Sequence, residues 1–274
     1  MAEDGDAKLK QNGKTENVPN NENDQSSAAA TDSSGGSPTE CKTFQDMGLS
    51  ERSMKALEHV GYETPSPIQS SFIPRALTGR DCTGQAHTGT GKTAAFVMPI
   101  LEAIDHDVPY TQALVLAPTR ELADQVKCEA ERLAYTSPIR VGCFVGQRDI
   151  DRQIRQLERG VQVAVGTPGR VKDLNNRGHL VFDNLRIVVL DEADRMLDIG
   201  FEPEIRDILR RCPTDRQTLL LSATLPPSVE RLAKKYMTNA ERVDLSGDAV
   251  AVDSIDQFYC TVDPDRKFGL LVRL

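Results

Sequence analysis

At 274 residues, with 39% hydrophobic and 27% charged residues, the chain has room for one large soluble domain, or for one domain with unstructured ends. No apolar run approaches the ~18 residues of a membrane span, and the polar, acidic N-terminus resembles neither a secretory signal nor a transit peptide. The net charge of −8 excludes a global field that gathers polyanions, so any grip on one must come from a local patch or from backbone amides.

Residues 1–43 are rich in Asn, Ser, Gly and Asp, hold eight acids against four bases, and have almost nothing to bury; they read as a disordered acidic tail. From Phe44 the composition changes. The stretch LSERSMKALEHVGY predicts a helix with Ser50 as N-cap and Gly61 just past its end. TPSPIQSSFIPRAL predicts a second helix, entered through prolines. RDCTGQA, where a strand should lead into the next loop, is too polar to be assigned as one.

Beyond it, apolar runs at 112–119, 140–147, 161–168, 186–192, 217–224 and 242–246 alternate with amphipathic helical stretches. That alternation predicts βαβ units, hence an α/β fold with a mostly parallel sheet covered by helices on both faces. Ile187, Val188, Val189 and Leu190 form a continuous apolar run, as a strand buried on both faces requires. In such sheets ligands bind beyond the carboxyl ends of the strands. APTR, GTPGR, DEAD and SAT all fall there. The six cysteines show no C-x-x-C spacing and read as reduced thiols of a cytosolic protein; His59, His87, His106 and His179 show no metal-ligand spacing.

QAHTGTGKTAAF sets Gly89, Gly91, Lys92 and Thr93 at the opening of an apolar helix. Glycines there let backbone N–H groups and the helix N-terminus face phosphate oxygens, Lys92 would reach the β- and γ-phosphates, and the Thr93 hydroxyl would ligate Mg²⁺. The strict P-loop pattern has glycine where this chain has Ala86, and a Gly-rich turn capping a helix is the plainer alternative. The acids decide between them. An Asp after an apolar strand holds Mg²⁺, largely through water, and a neighbouring acid orients the attacking water. Asp191 and Glu192 fit those roles. Acids in a helix's first turn also favour its dipole by ~0.3–1 kcal/mol each, which would account for one of them but not for the companion loop. Together the two motifs point to a Mg–nucleoside triphosphate site with Lys92, Asp191 and Glu192 as its catalytic groups.

Asp191-Glu192-Ala193-Asp194 is the signature of the DEAD-box family of ATP-dependent RNA helicases, and from Phe44 onward the chain resembles that family. Six motifs stand in its order: GYETPSPIQ (61–69), AHTGTGKT (86–93), PTRELA (118–123), TPGR (167–170), DEAD (191–194) and SAT (222–224). The family's phosphate loop begins with Ala, which accounts for Ala86. The resemblance implies a RecA-like P-loop NTPase domain over residues 44–246. It also implies an ATP site of Phe44, Tyr62, Thr64, Gln69, Ala86, His87, Thr88, Gly89, Thr90, Gly91, Lys92 and Thr93. The Gln69 amide, donor and acceptor together, suits the N6 and N7 edge of adenine; standing alone, Gln69 would read as a surface residue and Phe44 as core.

Pro118, Thr119, Arg120, Thr167, Pro168, Gly169 and Arg170 lie at strand-to-helix junctions, where amides and guanidiniums suit a sugar-phosphate chain without reading its sequence. The resemblance implies that they grip RNA. The family's Gly-Gly pair on that face is here Gly146-Gln147, whose side-chain amide can still donate to phosphate. By resemblance, Ser222 and Thr224 hydrogen-bond toward Asp194 and couple ATP state to strand separation; a hydroxyl-capped helix start is the alternative.

The family has two RecA-like domains, with ATP and RNA bound across the cleft between them. This sequence runs about fifty residues past SAT, and residues 247–274 read as a linker with the first strand and opening helix of a second such domain; an arginine-bearing HRxGR segment does not occur. An arginine supplied to the γ-phosphate is worth about 10³–10⁵ in turnover, roughly 4–7 kcal/mol of barrier. The expectation is binding of Mg-ATP and RNA with almost no hydrolysis until a second domain completes the site. A non-catalytic ATP-, RNA- or protein-binding module is the alternative; a DNA translocase is disfavoured by Gln69 and the DEAD spelling. The expected location is cytoplasmic, or nuclear in a eukaryote, with protein cofactors left open.

Overall fold

The computed structural model describes residues 41–246 and 261–273. The expected acidic tail, apart from residues 41–43, and residues 247–260 of the expected linker and strand lie outside the described residues. Ser50 caps α1 (Glu51–Val60) by accepting from the Ser53 N–H at 3.3 Å, and Gly61 follows it at φ 82°, as the spacing predicts. Pro67 opens α2 (Pro67–Ala76) at a position where its missing N–H costs nothing.

The strands are β1 (Cys82–Gln85), β2 (Ala113–Leu116), β3 (Val141–Phe144), β4 (Val163–Gly166), β5 (Ile187–Asp191), β6 (Gln217–Ser222) and β7 (Glu241–Asp244). Between them run α3 (Lys92–Ala103), α4 (Arg120–Leu133), α5 (Ile150–Glu158), α6 (Pro168–Asn176), α7 (Ala193–Ile199), α8 (Glu202–Arg211) and α9 (Pro227–Tyr236). The sheet has the order β3-β4-β2-β5-β6-β1-β7, with parallel pairing throughout. Ile187 and Val189 of β5 enter one apolar cluster, while Val188 and Leu190 enter the other, on the opposite face. Both faces are therefore buried, which is why the strand run contains no polar alternation.

RDCTGQA corrects the sequence reading: it does contain a strand. β1 lies between β6 and β7, so its backbone pairs on both edges despite its polar composition. Gly84 admits the Phe72 ring, which a Cβ there would meet at 3.0 Å. Asp81, just before the strand, is buried because each carboxylate oxygen accepts a backbone N–H, from Thr218 and from Thr238, at 2.6 Å. A polar residue with all its partners supplied is compatible with the core; its letter alone does not reveal that. Past the undescribed segment, a 3₁₀ turn at Pro264–Arg266 leads into α10 (Lys267–Leu271), on or beside which Phe268, Leu271 and Val272 are exposed.

Candidate functional site

Parallel pairing brings the carboxyl ends of all seven strands to one rim. β1 and β5 are separated there by β6 alone, about 10 Å at ordinary strand spacing. The loop after β1 and the acids after β5 therefore face a common gap.

The loop is closed by the Thr90 hydroxyl, which donates to the His87 carbonyl at 2.8 Å. Gly91 must be glycine for two reasons: its φ is 88°, and a Cβ would meet Gln69 Nε2 at 2.5 Å. Gln69, buried at the start of α2, accepts from the Ser66 N–H at 2.9 Å and donates to the Gly91 carbonyl at 3.1 Å. It thus ties the first turn of α2 to the phosphate-type loop, with one amide hydrogen and one oxygen lone pair still uncommitted. From the loop, α3 runs into the core with Ala94–Leu101 buried, so its first-turn N–H groups open toward the gap.

Lys92 is buried, and its ammonium donates to the Ala86 carbonyl at 3.0 Å. Opposite, Asp191 is 2% exposed and its Oδ1 has no hydrogen-bond partner. Burial pushes the Asp191 carboxyl up to about 7, Lys92 opposing and Glu192 and Asp194 adding to the rise. A lone, buried carboxylate oxygen beside two other acids fits a hydrated divalent cation, whose charge would reverse that shift. Glu192 follows in a left-handed backbone (φ 51°) at the start of α7, with Arg195 3.3 Å from its carboxylate.

Tyr62, Thr88, Gly89, Gly91, Lys92, Thr93, Asp191 and Glu192 line one cleft of about 370 Å³. Leu122, Gln125 and Glu129 line it too, and the sequence reading missed them. Their i, i+3, i+7 spacing along α4 was the available signal, since it sets one stripe on the helix that PTRELA opens. The Tyr62 hydroxyl donates to Glu129 at 2.7 Å, and burial with that neighbouring acid pushes the phenol up to about 12. Phe44 departs from expectation: it is 2% exposed and packed in the core, so no ring face is open to a base. Thr64 is exposed and does not line the cleft.

The three expected coupling residues meet. Asp194 Oδ2 accepts from the Thr224 hydroxyl at 2.7 Å and the Thr224 N–H at 2.9 Å, and the Asp194 N–H donates to Ser222 Oγ at 3.1 Å. The Ser222 carbonyl accepts from the Ala86 N–H at 3.1 Å. A continuous set of contacts thus links Asp194, β6, the phosphate-type loop and Lys92.

On the other half of the rim the ends of β3, β4 and β2 are adjacent. Thr119 caps α4 by accepting from the Leu122 N–H at 3.2 Å, with Pro118 before it and Arg120 half-buried after it. Thr167 precedes α6, Pro168 opens it, and Gly169 and Arg170 lie in its first turn. The Arg170 guanidinium donates to the Arg148 carbonyl at 3.2 Å and lies 3.9 Å from Asp173. Gly146 and Gln147 follow β3; Gln147 is exposed and has φ 60°, the conformation a glycine would take there. Gly166 cannot carry a side chain, because its Cβ would lie 2.3 Å from the Phe144 carbonyl oxygen where β3 and β4 close up.

Among the described residues no helix is long and apolar enough to cross a membrane. A family model described as DEAD/DEAH box helicase matches residues 66–232. The chain is 47% identical over 232 residues to the DEAD-box ATP-dependent RNA helicase CshA of Geobacillus kaustophilus, covering 85% of this chain and 50% of that one. It is 45% identical over 232 residues to the CshA of Bacillus subtilis, covering 85% and 47% respectively. The crystal structure of a DEAD box protein from the hyperthermophile Methanococcus jannaschii matches with a TM-score of 0.73 and 36% identity, covering 86% of this chain and 63% of that one. The chain spans about half the length of the curated relatives it matches. The matched span includes the loop that presents Lys92, the acids after β5, and both hydroxyl residues that meet Asp194. On the agreement of that span with the built rim, the chain belongs to the DEAD/DEAH box helicase family.

Proposed function

We propose that residues 44–246 are the ATP-binding lobe of an RNA helicase, and that this lobe binds Mg-ATP and RNA and hydrolyses ATP when a second RecA-like domain closes on it. The observation that carries the reading is one cleft lined by Lys92, Thr93, Asp191 and Glu192, with a buried Asp191 oxygen lacking any partner. Backbone N–H groups of residues 89–93 receive phosphate oxygens, and Lys92 exchanges the Ala86 carbonyl for the β- and γ-phosphates. Thr93 and Asp191 would hold Mg²⁺, which would neutralise phosphate charge there. Glu192 orients the attacking water and accepts its proton. The uncommitted half of the Gln69 amide reads adenine, with Tyr62 and Thr64 near the base.

RNA lies on the adjacent junctions, held through its backbone by Pro118, Thr119, Arg120, Gly146, Gln147, Thr167, Pro168, Gly169 and Arg170. Asp194, Ser222 and Thr224 connect the two halves, because they join the start of α7 to the strand whose end supports Ala86. Residues 247–274 would lead into the second domain, which supplies an arginine to the γ-phosphate.

The test joins this chain to the second RecA-like domain of a relative and measures ATP hydrolysis with and without RNA. RNA-stimulated turnover is expected, with Glu192→Gln retaining ATP binding while hydrolysis falls about 10²–10⁴-fold. Unchanged hydrolysis would remove Glu192 from the mechanism. ATP and RNA binding without stimulated turnover would instead favour a non-catalytic binding module.

A further inference from the structure

β3 is an edge strand, and beside it a groove of about 920 Å³ opens between α4 and α5. Five basic and two acidic side chains line it, a net of +3 on a chain whose overall charge is −8. The two acids are already engaged. Asp124 accepts from Arg148, with Nη1 at 2.9 Å, and from the Cys143 thiol at 3.3 Å. Asp149 caps α5 by accepting from the Arg152 N–H at 3.0 Å. Across the groove Lys127 is paired with Glu131 at 2.7 Å. That leaves three guanidiniums. Arg152, Arg155 and Arg159 are exposed, and among the described residues none lies within ion-pair distance of a carboxylate. Their i, i+3, i+7 spacing sets Arg152, Arg155 and the C-cap residue Arg159 along one face of α5 over about 10 Å.

The groove meets the rim at Arg148. Arg148 and Asp149, which line the groove, directly follow Gly146 and Gln147 in the chain, and Arg170 of the rim donates to the Arg148 carbonyl at 3.2 Å. A phosphate chain lying across Thr167–Arg170 and Gly146–Gln147 therefore has this basic stripe next along its path. We propose that the groove extends the RNA track: single-stranded RNA leaving the rim lays successive phosphates on Arg152, Arg155 and Arg159. This rests on the RNA-binding reading above. No aromatic ring lines the groove for bases to stack on, so the contact is to the backbone and indifferent to sequence.

The test uses the full chain and fluorescence anisotropy with labelled oligouridylates of about 6 and about 15 nucleotides, titrated from about 50 to about 200 mM salt. The variant combines Arg152→Gln, Arg155→Gln and Arg159→Gln, all at exposed positions where folding should be unaffected. It should bind the short RNA as the parent does. For the long RNA, the slope of log affinity against log salt should fall by about 2, three lost contacts at about 0.7 each, with affinity at the low-salt end at least about tenfold weaker. Arg→Lys at the same three positions should keep the slope. Wild-type slope and affinity in the Gln variant overturn the groove alone, provided Arg120→Gln still weakens both RNAs. Equal weakening for both lengths contradicts a track that begins beyond the rim. If the parent chain binds neither RNA, the groove and the RNA reading fall together. If the variant keeps its RNA slope but loses binding to polyglutamate, the surface takes an acidic polypeptide and the RNA track is wrong.

Discussion

Glu192 and Gln147 hold a left-handed backbone without being glycine. Each such conformation costs on the order of 1–3 kcal/mol and persists where the surroundings over-determine it. The two positions lie at the rim, one after β5 and one after β3. Gln147 shows how residue type can mislead: it departs from the Gly-Gly pattern, yet its backbone keeps the turn a glycine would make. Asp194 shows the reverse, since its partners Ser222 and Thr224 are the ones the family resemblance implied. Burial raises the Asp194 carboxyl, but hydrogen bonds from the Thr224 and Ser222 hydroxyls outweigh it and hold the group below its ordinary 3.8. A depressed carboxylate contributes stability above its unfolded value and loses it as pH falls through the folded one. Thr224→Val should therefore cost about 1 kcal/mol at neutral pH, discounted for partial exposure, and progressively less as the pH drops below 3.8. Urea denaturation of both proteins at several pH values checks this; a pH-independent cost would mean that Thr224 acts by packing.

At the scale of elements, six of the seven strands were readable: β2 to β6 fall inside the expected runs, because two-sided burial makes a strand a plain apolar run, while the edge strand β7 starts one residue before its expected run and buries only Val243. β1 was not readable, because its stability comes from neighbours remote in sequence: β6 and β7 on its edges, Phe72 over Gly84, and the clasp of Asp81 on Thr218 and Thr238. Strand propensity carries none of that information. The clasp makes a sharp prediction. Asp81→Ala leaves two backbone N–H groups without their acceptor, and at about 1–3 kcal/mol for each buried one the protein should lose about 2–6 kcal/mol. Chemical denaturation reads the loss directly; a change below about 0.5 kcal/mol would show that water replaces the carboxylate at no cost. Because β1 carries the phosphate-type loop, Asp81→Ala should also weaken nucleotide binding without touching the cleft.

For the whole molecule, the sheet order does what no motif states. Placing β3, β4 and β2 side by side gathers the junctions proposed for RNA on one half of the rim, and β5, β6 and β1 gather the groups proposed for nucleotide on the other. The acids of β5 stand at the boundary, and Asp194 reaches across to the strand that supports Ala86. Motif order along the chain gives no hint of this partition, since the phosphate-type loop precedes the acidic and hydroxyl motifs in sequence yet lies beyond both in space. The cleft's third wall, Leu122, Gln125 and Glu129 of α4, went unread although their i, i+3, i+7 spacing sets them on one stripe of that helix. What unites the account is a magnesium-bound triphosphate between Lys92 and Asp191. Calorimetric titration of the full chain with ATP, in Mg²⁺ and in chelator, tests it most directly, using Lys92→Ala and Asp191→Asn alongside the parent. The account predicts binding that Mg²⁺ strengthens, a loss of at least about tenfold in Lys92→Ala, as expected when one charge-assisted contact of about 1.5–3 kcal/mol goes, and little remaining Mg²⁺ dependence in Asp191→Asn. Equal ATP affinity in all three proteins, with or without the ion, would contradict it.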